Sequence, residues 1–202
     1  MSKGFTLIEL LVVLAIIGVL MTIAFTSQST FNKTFILNNT AYDIALTIHS
    51  AESYGLGSRA SGGITSAGYG VHFQNSPAGS FILFADTHPF ASCSTPDCKS
   101  GDGVYTSSDT LVQKYTFGNN IVINNFCARV SSVWKCASDG SITSLDIVFA
   151  RPNPNAVINA YNSSTYSPAT AACIAIASPQ GGAKFISVAS SGEITASAAS
   201  CP

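Results

Sequence analysis

The stretch that most constrains this chain is FTLIELLVVLAIIGVLMTIAF, residues 5–25. It is apolar almost throughout. At about 1.5 Å of rise per residue, roughly 20 helical residues cross the hydrocarbon core of a bilayer. The segment is therefore expected to span a membrane as a helix. Lys3 precedes it and almost no charge follows it. The positive-inside rule then places residues 1–4 in the cytoplasm and the rest of the chain outside. A cleaved secretory signal fits poorly, because the basic leader is tiny and the apolar run is longer than a typical signal core. A plain single-span anchor explains every residue except Glu9. A carboxylate inside a membrane helix costs about 2.5–3.5 kcal/mol on insertion scales, and such a residue marks a functional site that wants a cationic partner.

The rest of the composition narrows the class. Of 202 residues only 9% are charged, and the formal net charge is −1. A nucleic-acid-binding domain carries a basic excess, and none is present. With 47% hydrophobic residues the chain is no disordered polymer either. A charge-poor surface rich in Ser, Thr and Asn suits a subunit that spends its life assembled. Six cysteines follow the apolar segment: Cys93, Cys98, Cys127, Cys136, Cys173 and Cys201. Their even number and the lack of zinc spacing point to disulfides and an oxidising compartment. Loop closure favours nearest-neighbour pairing, 93–98, 127–136 and 173–201; buried free thiols are the alternative.

No helix breaker occurs before YGLGSRASGG, so a helix is expected from Phe5 to about Ser58. Leu37, Ala41, Ile44, Ile48 and Ala51 recur at 4-3-4-3 spacing, an amphipathic stripe that should pack on a sheet. Phe31, Phe35, Tyr42 and Leu46 are expected to cover an adjacent sector of it, with Lys33, Asp43 and Glu52 on the opposite face. His49 belongs at the rim, with no partner motif for catalysis. Beyond residue 60 the period drops to about two. Runs at 69–73, 81–85, 111–117, 121–126, 144–150, 173–177 and 184–189, and a final GEIT, read as antiparallel strands. The last pair of long runs reads as a hairpin through a Gly-Gly turn. The fold class is α+β: a long N-terminal helix, transmembrane in its first half and amphipathic in its second, packed on an antiparallel β-sheet head.

The loops offer little chemistry. Asp86, Asp102 and Asp109 flank SGDGVYTSSD, a stretch with the oxygen donors and glycines that calcium favours. The alternating acids and terminal Glu of an EF-hand are missing. The simpler reading is that Asp and Gly serve turns there, with Cys93 and Cys98 pinning the insertion. His49, His72 and His88 are scattered without metal spacing, and no G-x-S-x-G, phosphate loop or dinucleotide fingerprint is present. No enzymatic activity and no obligatory cofactor are expected. The Asn-x-Ser/Thr triplets headed by Asn32, Asn38 and Asn162 are read as chance.

KGFTLIELLVVLAIIGVL resembles the prepilin leader and N-terminal helix of type IV pilins and type II secretion pseudopilins. The resemblance implies a leader of residues 1–4, cleavage between Gly4 and Phe5, and N-methylation of Phe5. It further implies a membrane and filament-core helix over 5–27, an amphipathic continuation over 28–60 and a disulfide-stabilised β-rich head over 61–202. Glu9 would pair with the freed amine of Phe5 in a neighbouring subunit, which makes it the assembly residue. Unlike many major pilins, the helix holds no Pro, and Gly18 and Thr22 are its soft points. The motifs YGVHF…FILFAD and LDIVFARPNP are similar to the heads of GspH/FimT-type minor pilins. Together these imply a structural minor pilin or pseudopilin of a type IV filament or type II secretion pseudopilus. A major pilin and a DNA-binding FimT-like pilin are the alternatives. Against the latter, the C-terminal region offers Arg151 and Lys184 and little else for phosphates, so nucleic acid is not an expected partner. The implied partners are other pilin subunits, prepilin peptidase and the inner-membrane assembly platform. The implied location is the inner membrane, with the head outside the cytoplasm, and then a periplasmic or extracellular filament.

Overall fold

A computed structural model describes residues 6–57, 67–76, 78–87, 101–179, 181–196 and 200–201, with Gly4, 59–61 and Gly63; over residues 26–33 only the backbone is described. One helix, α1 (Leu7–Leu56), opens the chain. Its first part lies in a unit formed by Met1–Ile36, and the remainder belongs to a second unit, Leu37–Pro202. Within the first unit, Leu7–Phe25 is long and apolar enough to cross a membrane, and none of it is buried.

Among the described residues, eleven strands build the second unit. β1 (Gly68–Gln74), β2 (Ser80–Asp86), β3 (Thr110–Thr116), β6 (Ser144–Ala150), β7 (Asn153–Asn162) and β8 (Thr165–Ala169) form one sheet in the order β3-β2-β1-β6-β7-β8. β4 (Val122–Val130), β5 (Val133–Cys136), β9 (Ala171–Ala177), β10 (Ala183–Ala189) and β11 (Ile194–Ala196) form a second, ordered β11-β10-β9-β4-β5. Every pairing is antiparallel. The chain passes to the second sheet between β3 and β4, returns between β5 and β6, and crosses again at Thr170, between β8 and β9, where the backbone N–H donates to the Arg129 carbonyl at 2.9 Å.

The helical stripe does what its spacing requires. Leu37, Ala41, Ile44, Ile48 and Ala51 are all buried. On the strands, Tyr69, Val71 and Phe73 of β1 stand opposite Phe149, Ile147 and Leu145 of β6, one apolar face of the six-stranded sheet. The end of α1 meets that face. Tyr54 packs edge-on against Tyr69 with ring centroids 5.5 Å apart. Arg59 lies 4.2 Å over the Tyr54 ring, and the Tyr69 hydroxyl donates to the Arg59 carbonyl at 3.3 Å. At its other end the stripe reaches the β9–β10 turn, where Leu37 would touch a Cβ placed on Gly182 at 3.5 Å.

Several expectations need correcting. The strands form two sheets, not one. β5, β7 and β8 fall in stretches read as loop. Tyr42 and Leu46 do not cover the sheet: Tyr42 is 59% and Leu46 66% exposed, and Phe35 belongs to the first unit. At 3.6 residues per turn one stripe fills the face toward the sheet, and Tyr42 and Leu46 lie outside it. Phe31 and Lys33 fall among the residues whose side chains are not described. The Gly-Gly turn is present, with Gly181 and Gly182 at φ of 97° and 93°.

Among the described residues, two disulfides close the second sheet. Cys127 and Cys136 stand opposite each other on β4 and β5, with Cα atoms 4.0 Å apart. Cys173 of β9 pairs with Cys201 and so ties the chain end to the sheet centre. Bridges closing 9 and 28 residues contribute roughly 2.5–3.5 kcal/mol each in the chain-entropy account. Cys93 and Cys98 lie outside the described residues.

At Gly55 the helix comes close to the backbone of β6. A Cβ there would lie on the Phe149 carbonyl. Gly→Ala in a helix gains at most about 1 kcal/mol of propensity, and less near the helix end. Pushing helix and sheet apart costs about 1–3 kcal/mol. We expect Gly55→Ala to destabilise the protein by about 1–2 kcal/mol, read as a lower urea midpoint. An unchanged or raised midpoint would show that the helix is not held against β6.

Candidate functional site

The first site is the start of α1. Gly4 is exposed, with open space around its Cα. Phe5 and Lys3 lie outside the described residues. Thr6 is the N-cap: its hydroxyl accepts from the Glu9 N–H at 3.4 Å, and the Glu9 carboxylate accepts from the Thr6 N–H at 3.5 Å. This reciprocal arrangement is a capping box, which satisfies two of the backbone donors that a helix start leaves open. Both bonds are long and exposed. The Thr-x-x-Glu spacing was readable in TLIE; a search for a cationic partner to Glu9 passes over it. Glu9 thus sits in the first turn, where the helix dipole favours a negative charge. Further along, the Thr22 hydroxyl donates to the Gly18 and Val19 carbonyls at 3.0 and 2.8 Å. A hydroxyl bonded within its own helix can face an apolar phase without an open donor.

The second site lies on the other face of the six-stranded sheet. Alternation along β1 sends His72 away from the helix, and the register sets it opposite Asp146 of β6, itself opposite Asn159 of β7. His72 Nδ1 and Asp146 Oδ1 are 2.7 Å apart, and both residues are buried. A strap, residues 101–109, crosses this polar row. Its Gly103 carbonyl accepts from Asn159 Nδ2 at 2.9 Å, and its Gly103 N–H donates to Asp86 Oδ2 at 2.7 Å. The Tyr105 ring lies against His72 and Phe84, with centroids 4.8 and 5.1 Å away. A Cβ on Gly101 would fall on the Asp86 carboxyl, so the strap needs glycine there to seat itself.

The cost falls on two carboxyls. Asp86 is 1% exposed, and its Oδ1 has no hydrogen-bond partner among the described residues. Burial, then the charges of Asp109 and Asp102, push its pKa up to about 8 against the Gly103 hydrogen bond. Asp146 is also raised, by burial above all, with the His72 hydrogen bond opposing. Asp109 ties the strap to itself and to the end of β2. It accepts from the Thr87 and Thr106 N–H groups at 3.0 and 2.7 Å and from the Thr106 hydroxyl at 2.9 Å. Asp102 accepts from the Val104 N–H at 3.1 Å. Among the described residues no group of three or more His, Cys, Asp or Glu is placed to hold a metal ion. Asp86, Asp102 and Asp109, the acids weighed as calcium ligands, all take part in turn and strap hydrogen bonds. Elsewhere, His49 meets Glu52 at 3.2 Å on the helix surface. Arg151 is exposed in the β6–β7 turn, and Lys184 lies on β10 of the other sheet. His88 lies outside the described residues.

Residues 1–25 match the prokaryotic N-terminal methylation motif. The match covers the capping box, Glu9 and the spanning segment, and it supports a type IV pilin-like precursor that prepilin peptidase processes. Such precursors are structural subunits that assemble with other pilin subunits, and the apolar helix fits membrane anchoring before assembly. No curated protein and no solved structure matches the chain.

The raised Asp86 carboxyl makes stability depend on pH. Unfolded, it loses its proton near pH 4; folded, it keeps it to about pH 8. Its contribution is full below the unfolded value and is lost as pH rises through the folded one. Asp146 shifts in the same sense. We expect the melting temperature to fall from pH 5 to pH 9, and Asp86→Asn to flatten that fall in part. A slope as steep as that of the unsubstituted protein would mean that folded Asp86 is ionised.

Proposed function

We propose that the chain is a minor pilin or pseudopilin, a non-enzymatic subunit of a type IV filament or type II secretion pseudopilus. In this reading the leader is cut between Gly4 and Phe5, the new N-terminus is methylated, and the head faces away from the cytoplasm. Glu9 then finds the amine of Phe5 in a neighbouring subunit, and that pairing draws the subunit from membrane into fibre. The observation that carries the reading is the methylation motif over residues 1–25, continuous with a spanning helix in which Glu9 is the one acid. The head adds support. Tyr42, Leu46, Ile194 and Ala196 border a groove of about 530 Å³ on the helix flank of the second unit, an apolar surface of the kind that assembly covers. The likeness of the strand motifs to GspH/FimT-type heads favours the minor role.

Intact mass and N-terminal sequencing of the protein from host membranes test this directly. We expect a chain that begins at methylated Phe5. One that begins at Met1, or beyond residue 25, would overturn the reading. Glu9→Val should be cleaved as before yet be lost from sheared fibres by an order of magnitude or more, while remaining in the membrane. Normal incorporation would remove Glu9 from assembly.

A further inference from the structure

The strap covers the row His72–Asp146–Asn159 and leaves the next row open. That row crosses four strands: Gln74 of β1 stands opposite Ser144 of β6, Ser144 opposite Tyr161 of β7, and Tyr161 opposite Tyr166 of β8. These side chains, with His72 and Asn75, line a cavity of about 400 Å³ open to solvent. Small-molecule sites run from roughly 300 to 1,000 Å³.

The lining has a definite chemistry. Its described lining residues include no Lys, Arg, Asp or Glu, so among them neither an anion nor a cation finds a charged partner. What it offers is amides, hydroxyls, one imidazole and two phenol rings. The rings of Tyr161 and Tyr166 sit 4.5 Å apart and tilted by 34°, and Tyr166 is 44% exposed on the edge strand. Gln74 and Asn75 carry both donors and acceptors, and hydroxyls turn to suit either role. The imidazole is fixed from behind: Asp146 holds Nδ1, and Nε2 lies 3.4 Å from Gln74 Oε1. A rigid polar rim beside an exposed aromatic surface fits a ligand that is neutral, rich in hydroxyls and apolar on one ring face.

We propose that this cavity binds a neutral saccharide, with the ring pair Tyr161 and Tyr166 taking the apolar face of a sugar and Gln74, Asn75 and Ser144 bonding its hydroxyls. The sugar is a free glycoside or the end of a neutral polysaccharide chain. The proposal stands on the head alone and holds whichever machine the helix serves.

The test uses the full chain in a detergent without a sugar headgroup. Saturation-transfer NMR is recorded with the methyl glycosides of glucose, galactose, mannose and N-acetylglucosamine, and separately with dextran and a neutral galactan. We expect saturable transfer from at least one probe, weakened about tenfold in Tyr166→Ala and in Gln74→Ala. Leu111→Ala, on the exposed edge of β3, should bind as the unsubstituted protein does. Binding by glycosides identifies a monosaccharide site, and binding by polysaccharides alone identifies a chain-end site; either supports the proposal. No transfer from any probe, or equal transfer in Tyr166→Ala with an unchanged melting temperature, overturns it.

Discussion

The packing of one helical stripe on one sheet face sets the terms for the rest of the head. Leu37, Ala41, Ile44, Ile48 and Ala51 are wholly withdrawn from water, and two of the five are alanine. Small side chains let the helix come close, and Gly55 lets it touch the backbone of β6. A close helix demands an apolar inner face, met by Tyr69, Val71, Phe73, Leu145, Ile147 and Phe149. Because a strand alternates, that demand consigns Gly70, His72, Gln74, Asp146 and Asn159 to the outer face. An outer face so polar would ordinarily be left to water. Here the strap covers part of it, so the helix stripe ends by creating a buried polar layer on the far side of the sheet.

Burying that layer is unfavourable, and its geometry shows how the penalty is contained. Asp146 meets His72 at 2.7 Å, and a buried pair of this kind offsets desolvation only when geometry is good. Among the described residues Asp86 has no cationic partner; raising its pKa lets it stay neutral while Gly103 satisfies one oxygen. What the two carboxyls provide is position: the strap can seat only where Gly101 meets Asp86 and Gly103 meets Asn159. Where the strap ends, the same outer face is left open as a polar cleft.

The parts of the fold legible in the residues were those where period and composition agreed. Strands such as SFILFAD and AACIAIA declare themselves through β-branched and aromatic runs. β7 hides because NPNAVINAYN opens with Asn-Pro and alternates apolar residues with Asn; a proline at a strand start is tolerated, but it looks like a turn. β8 carries Pro168 and can do so as an edge strand. The β4–β5 hairpin turns on Ser131 and Ser132, both at positive φ, where glycine or asparagine would have announced it. The methylation motif was legible at once because it is local. The buried row of His72, Asp146 and Asn159 was not, because its members are neighbours only across strands, with His72 and Asp146 74 positions apart in sequence.

Glu9 has one observed partner, Thr6, and a second only in the proposed assembly. In the single chain it closes a capping box with Thr6, through bonds of 3.4 and 3.5 Å that lie at the weak end of hydrogen bonding. A lone acid in lipid costs a few kcal/mol, and the first turn of a helix returns only about 0.3–1 kcal/mol of that through the dipole. The cap therefore settles the local backbone and leaves most of the charge uncompensated. A membrane subunit with such a residue remains under pressure to find a cation. If the leader is removed at Gly4, the nearest new cation belongs to Phe5, next to the N-cap itself. In the proposed assembly, a shift of neighbouring helices along their axes would bring one amine to the next carboxylate. A weak internal cap is then the useful arrangement. It holds the helix start in order in the membrane and releases the carboxylate at little cost when a charged partner arrives.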